Sequence, residues 1–153
     1  MKGLKGEILA RRGDEIGAID KDAPEAIALV YPSPYHVGMS SLGFQTMYRS
    51  INAVDGRAAH RAFLPDDVDA WRRSRGPLVT YEKLRPVSNY PILAFSVAYE
   101  TEIAGLIQVL DLSGIPPLAE ERDSRHPFIL AGGPLTFSNP LPLAPFVDAV
   151  IMG

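Results

Sequence analysis

Ile27-Ala-Leu-Val-Tyr31, Ile92-Leu-Ala-Phe-Ser96 and Phe128-Ile-Leu-Ala131 are the runs whose reading decides the fold. Each is short, apolar and continuous, the pattern of a strand covered on both faces. Each passes straight into loop chemistry. The first meets Pro32-Ser-Pro-Tyr-His-Val-Gly-Met-Ser40, the second Val97-Ala-Tyr-Glu100 and the third Gly132-Gly-Pro-Leu-Thr136. If the strands are parallel neighbours, all three loops lie at one edge of a sheet. Open α/β sheets bind their ligands at that edge, so function is expected there.

Two further strands fit the same plan, Ala59–Leu64 and Ala149–Met152. Helical patterns separate the five. Ser40 or Ser41 can cap a helix in which Phe44, Met47, Tyr48 and Ile51 form one apolar stripe, closed by Asp55-Gly56. Pro65-Asp-Asp67 starts a short polar helix through Trp71, and Gly76-Pro77 breaks it. Thr101 can cap a helix carrying Ile103, Leu106, Ile107 and Leu110, with Gly114 at its end and Pro116-Pro117 forbidding continuation. Leu141–Phe146 reads as irregular helical turns. Alternation of strands with helix-length connections implies a parallel sheet with right-handed crossovers. The expected architecture is a flavodoxin-like three-layer α/β sandwich of strand order 2-1-3-4-5, with its switch point between the first and third strands. Residues 1–24 read as an extension, with one short strand or helix, ahead of a domain spanning 25–153.

Composition narrows the function. The chain has 153 residues, of which 46% are hydrophobic and 22% charged, enough apolar content for one folded domain. A net charge of −3 with scattered basic residues argues against a nucleic-acid surface. Arg72, Arg73 and Arg75 are the densest basic group and read as a solvated helix face, as do Glu120, Glu121 and Asp123 as a charged loop. There is no cysteine, so disulfides, zinc–thiolate sites and cysteine-ligated clusters are excluded within this chain. No apolar run reaches membrane-spanning length, and the first seven residues lack the apolar core of a signal peptide. A cytoplasmic protein with no membrane partner is the expectation. No catalytic triad, metal constellation or phosphate-binding glycine motif is present. His60 and His126 read as surface residues.

Val30-Tyr-Pro-Ser-Pro-Tyr-His-Val-Gly-Met-Ser-Ser-Leu-Gly-Phe44 resembles the opening of a family of radical SAM proteins that carry a cobalamin-binding-like domain ahead of a catalytic barrel. The resemblance continues in order through Phe63-Leu-Pro65, Phe95-Ser-Val-Ala-Tyr-Glu100, Leu110-Asp-Leu-Ser-Gly-Ile-Pro116, Ala119-Glu-Glu-Arg-Asp123, Ile129-Leu-Ala-Gly-Gly-Pro134 and Asn139 to Gly153. It implies that this is the amino-terminal piece of a longer polypeptide. The barrel that follows would hold a 4Fe-4S cluster and S-adenosylmethionine on three cysteines, and would act as this domain's partner on an unknown substrate. Radical chemistry is implied for the whole protein, with methyl transfer a candidate.

The resemblance also implies candidate cofactor-binding residues. Cobalamin-binding domains place Asp-x-His-x-x-Gly after the first strand, the Asp supporting the histidine that ligates cobalt. Here Pro34 stands at the Asp position, His36 at the His and Met39 at the Gly, with Gly38 one residue early. A cobalamin would then sit without a protein ligand on its lower face, its nucleotide tail running beside the sheet. Tyr35, Val37 and Met39 offer an apolar platform, with Ser33, His36 and Gly38 in the same segment. Ser96 and Thr136 offer hydroxyls, Tyr99 faces the same crevice, and Gly132-Gly133 permits close backbone approach. Glu100 reads as a favourable charge at the start of the next helix. Two other readings stay open: a docking or substrate-recognition module that has lost the cofactor, and a flavodoxin-like domain holding another nucleotide-containing ligand.

Overall fold

The computed structural model describes residues 3–152. Five parallel strands form one sheet in the order β2-β1-β3-β4-β5. They are β1 (Glu25–Pro34), β2 (Arg57–Leu64), β3 (Ile92–Ser96), β4 (Phe128–Gly132) and β5 (Ala149–Val150). The helices are α1 (Leu4–Asp14), α2 (Tyr35–Met39), α3 (Leu42–Asn52), α4 (Val68–Ser74), α5 (Glu102–Leu112) and α6 (Leu135–Ser138). This is a flavodoxin-like α/β fold, with the switch point between β1 and β3.

Several boundaries differ from the sequence reading for physical reasons. β1 runs on through Pro32 and Pro34, because pairing to β3 ends at Val30 and pairing to β2 slips between Tyr31 and Pro34. A proline without an N–H is tolerated where the ladder is already irregular. The segment after it coils into α2 instead of staying open. Ser41, rather than Ser40, caps α3 by accepting from Phe44 N at 3.2 Å. Met47 on that helix is exposed, because the buried stripe runs through Phe44, Tyr48 and Asn52. β5 ends at Val150, although Ile151 N still donates to Ala131 O at 2.8 Å. Gly114 (φ 68°) closes α5 in the left-handed region, whereas α3 ends at Asn52 and Gly56 (φ 78°) sits in the turn that enters β2.

The two faces of the sheet are covered unequally. Leu93, Phe95, Ile129 and Ala131 are buried on the face that carries α5. Gly105 brings α5 against β1 so closely that a Cβ there would lie 2.0 Å from the Pro32 carbonyl oxygen. On the other face α3 covers β1 and β2, with the Phe44 ring 5.5 Å from Tyr31 and 5.4 Å from Phe63. Ala94, Ser96, Leu130 and Gly132 share that second face by alternation and register, and remain half-buried.

The edge strand β2 carries Arg61, whose side chain is 1% exposed. Its Nε donates to Glu82 Oε1 at 2.5 Å and its Nη2 to Glu15 Oε2 at 2.8 Å. Glu82 Oε2 also accepts from Arg61 N, and the Tyr48 hydroxyl lies 2.9 Å from Glu82 Oε1. Burial opposes the guanidinium's charge, but the Glu82 and Glu15 carboxylates outweigh it and raise the pKa. The free edge of β2 is capped by the segment after α4, where Tyr81 N donates to Arg61 O at 2.8 Å. That segment makes one isolated antiparallel bridge, Val79 to Pro86.

His60 is a correction. It is 2% exposed, not a surface residue. Its Nε2 lies 2.8 Å from the Lys21 carbonyl, which accepts only, so that nitrogen carries the proton. Nδ1 meets the Tyr90 hydroxyl at 2.6 Å, and Thr80 extends the chain at 3.0 Å. The apolar run hid this pairing, because the partners are distant in sequence.

Glu82→Ala leaves Arg61 N and Nε without their buried acceptor and Glu15 as the guanidinium's remaining carboxylate, and should lower the unfolding free energy in urea by about 3–5 kcal/mol. Lys83→Ala removes bridges to the exposed Asp20 and Asp22 and should cost under about 1 kcal/mol in the same assay. Burial, followed by the hydrogen bond to Glu15, pushes the Tyr35 phenol up from 10.0 to about 12. A raised pKa stabilises the fold below pH 10, and that stability is lost as pH climbs through about 12. Tyr35→Phe should flatten the alkaline fall in melting temperature over this window.

Candidate functional site

The carboxyl ends of the strands form one rim, and the register levels its centre. Ser96 on β3 pairs with Gly132 on β4, one residue beyond the Phe95 and Ala131 pair. Exposed apolar side chains collect around this rim: Val37, Tyr99, Phe137, Leu141, Ile151 and Met152. Apolar groups gathered at one edge mark a contact surface more than scattered ones do.

The structure brings the candidate residues to this edge but engages many of them internally. The Ser33 hydroxyl donates to Glu102 Oε2 at 3.2 Å. The Tyr35 hydroxyl donates to Glu15 Oε1 at 2.8 Å, and its ring stacks on Tyr81 at 5.2 Å. Tyr35 therefore turns toward α1 and the β2 edge. Met39 Sδ accepts from Arg61 Nη1 at 3.3 Å. Gly38 is buried because Phe63 would lie 2.4 Å from any Cβ there. Thr136 is fully buried and donates to Gly133 O at 2.8 Å.

Four candidate side chains that make no hydrogen bond among the described residues are open to solvent or half so. His36 and Val37 are exposed on α2, and the His36 ring meets Tyr35 edge-on at 5.6 Å. Tyr99 is 67% exposed. Ser96 is half-buried on the open face, and no hydrogen bond among the described residues engages its hydroxyl. The two glycines differ in role. Gly133 has φ 105°, and a Cβ would lie 2.7 Å from Val97 O and 2.9 Å from Val97 N. Its freedom serves the turn that packs the β4 loop on the β3 loop. Gly132 has only Ile151 near, at 3.8 Å, so its open side belongs to the half-open face.

One residue that the sequence reading missed sits at the centre. Glu102, the first residue of α5, reaches back and ties down the loop that leads into the helix. Its Oε1 accepts from Ala98 N at 2.8 Å and Tyr99 N at 2.9 Å. Thr101 makes no cap hydrogen bond, and Glu100 is exposed. Burial and the neighbouring Glu102 carboxylate both raise the Tyr31 phenol pKa. The available signal was the spacing: an acid three or four residues after a strand-end loop can reach back to that loop's amides.

Cobalamin can be tested against these residues. His36 lacks a carboxylate partner and stands exposed, which does not fit a cobalt ligand. Ala94, Ser96 and Gly132 form a half-open strip of small residues beside an apolar rim, which fits a tail and a flat ring without a protein ligand. Among the described residues, no group of three His, Asp or Glu side chains converges as a metal site. No helix there is long and apolar enough to cross a membrane.

Gly133→Ala should destabilise the chain by about 1–3 kcal/mol, since both φ and the Val97 backbone oppose a Cβ. Gly132→Ala should change the urea midpoint far less.

No curated protein and no solved structure matches the chain. The model of the family described as radical SAM proteins, N-terminal, matches residues 43–153, most of the chain, from α3 through β5. The match takes in β2 to β5, Ser96, Gly132 and Glu102, so the open strip and the switch-point loop both lie within it. The chain belongs to this family, as the amino-terminal region of a radical SAM protein.

Proposed function

We propose that this region is a cobalamin-binding-like domain that presents a cobalamin, without an axial ligand from this chain, to the radical SAM part of its protein. The observation that carries the reading is the half-open strip of Ala94, Ser96 and Gly132, level at the ends of β3 and β4 and bordered by apolar side chains. A bound cobalamin supplies a cobalt centre that can carry a methyl group or exchange an electron. The chain's own work is positioning. Ser96 offers a hydroxyl for hydrogen bonding, Gly132 keeps the strip free of side chains, and Tyr99 and Val37 exclude water at the rim. The 4Fe-4S cluster and S-adenosylmethionine belong, in this proposal, to the radical SAM part, because no cysteine is available here.

A second reading is a docking module that has lost the cofactor. It is favoured by the internal engagement of Ser33, Tyr35, Met39, Gly133 and Thr136. In that case the apolar rim packs directly on the radical SAM part.

Hydroxocobalamin titration with gel filtration separates the two. Retention is expected, with a visible spectrum that His36→Ala leaves unchanged. Ser96→Leu and Gly132→Leu fill the strip and should weaken retention at least about tenfold, or about 1.4 kcal/mol. No retention, either by this chain or by the protein that includes the radical SAM part, would leave the docking reading.

A further inference from the structure

The switch point between β1 and β3 is where an open α/β sheet ordinarily receives a ligand's charged group. Here its donors come from several elements. Ala98 N–H and Tyr99 N–H point from the β3–α5 loop, and the Ser33 hydroxyl comes from β1. Backbone amides converging in front of a helix make a seat for an oxyanion. The seat already contains one. The Glu102 carboxylate accepts from all three donors, and the residue is 5% exposed. Gly105, one turn further along α5, abuts the Pro32 carbonyl and leaves no slot beside it.

The structure assigns Glu102 the role of specificity-determining residue at the rim. Its carboxylate is the chain's own anion in the switch-point crevice, and it closes that crevice to phosphate- and carboxylate-bearing ligand groups. A second anion would have to displace Glu102 or stand against a buried like charge. Whatever sits on the rim must therefore meet this crevice with neutral groups. The amide-bearing edge of a corrin satisfies that requirement, and the phosphate of a flavin mononucleotide does not. The inference deepens the cobalamin reading and rests on it only for the identity of the guest.

Emptying the seat tests this. Thermal melts of the wild-type chain and of Glu102→Ala are compared in inorganic phosphate and in chloride at equal ionic strength. The wild type should show no phosphate-specific rise. The variant should melt lower and recover saturably with phosphate, at concentrations at least about tenfold below any at which the wild type responds. Flavin mononucleotide should be retained by the variant alone. A folded variant with the wild-type response to phosphate overturns the assignment, as does phosphate binding by the wild type. If Glu102→Ala does not fold in either salt, Glu102→Gln keeps the volume and replaces one accepting oxygen with a donor. Amide exchange at Ala98 and Tyr99 should then quicken about tenfold, and unchanged exchange overturns the assignment. Hydroxocobalamin retention by the wild type is measured in parallel. Its failure removes the guest and leaves the anion result standing.

Discussion

A guanidinium cannot stay dry without carboxylates, and the architecture around β2 follows from that constraint. Arg61 sits within an apolar edge strand, and its charge is met by residues far away in sequence. Glu82 arrives from the segment that caps the strand edge, and Glu15 from the chain that follows α1. Tyr48 of α3 stacks beneath the guanidinium at 4.7 Å, and Met39 of α2 receives another of its N–H groups. One buried charge thus ties four segments to the strand. Such a cluster contributes less to net stability than apolar packing would, because desolvation offsets much of the attraction. What it does supply is a single arrangement, since any other leaves a charge without a partner.

That arrangement divides the rim into two regions. On the β2 side, Tyr35 and Met39 are drawn inward, and α1 packs over the strand edge beside a cavity of about 990 Å³ lined by α1, the end of β2, α4 and the capping segment. On the β3–β4 side the face is half-open, its residues are small, and exposed apolar side chains surround it. Glu102 stands at the boundary, where it satisfies the loop amides and joins them to β1. The resulting rim has apolar borders and one hydroxyl left over, and its anion seat is already filled. Under the proposed function this is a surface for a broad and largely uncharged guest, and under the docking reading one for the apolar face of another domain.

The strand plan was legible because it is local. Continuous apolar runs, glycine and proline punctuation and right-handed crossover rules lead to the order 2-1-3-4-5 without any tertiary information. Sidedness and partners were not legible. His60 and Arg61 lie in a run that reads as ordinary strand, and only contacts with Lys21, Tyr90, Glu15 and Glu82 explain their burial. Thr101 was read as a helix cap because Ser and Thr are common caps, but it makes no cap hydrogen bond, and the longer Glu102 side chain binds two amides of the loop ahead of the helix instead. At the rim, the candidate residues lie along the strand ends, but residue type gave no guide to their orientation. Gly133 and Thr136 have the chemistry of a ligand cradle and spend it on their own turn. Ser96 and Gly132, of similar chemistry, lie on the face that remains open.

The account's central claim is that a flat guest rests on the β3–β4 half of the rim. Nuclear magnetic resonance of the isotope-labelled chain with paramagnetic cob(II)alamin tests it most directly. The account predicts broadening concentrated at the amides of residues 97–99, 132–137 and 151–152, with α1 and the segment 78–90 untouched. Broadening centred on α1 and the β2 edge, with the β3 and β4 loops sharp, would contradict it.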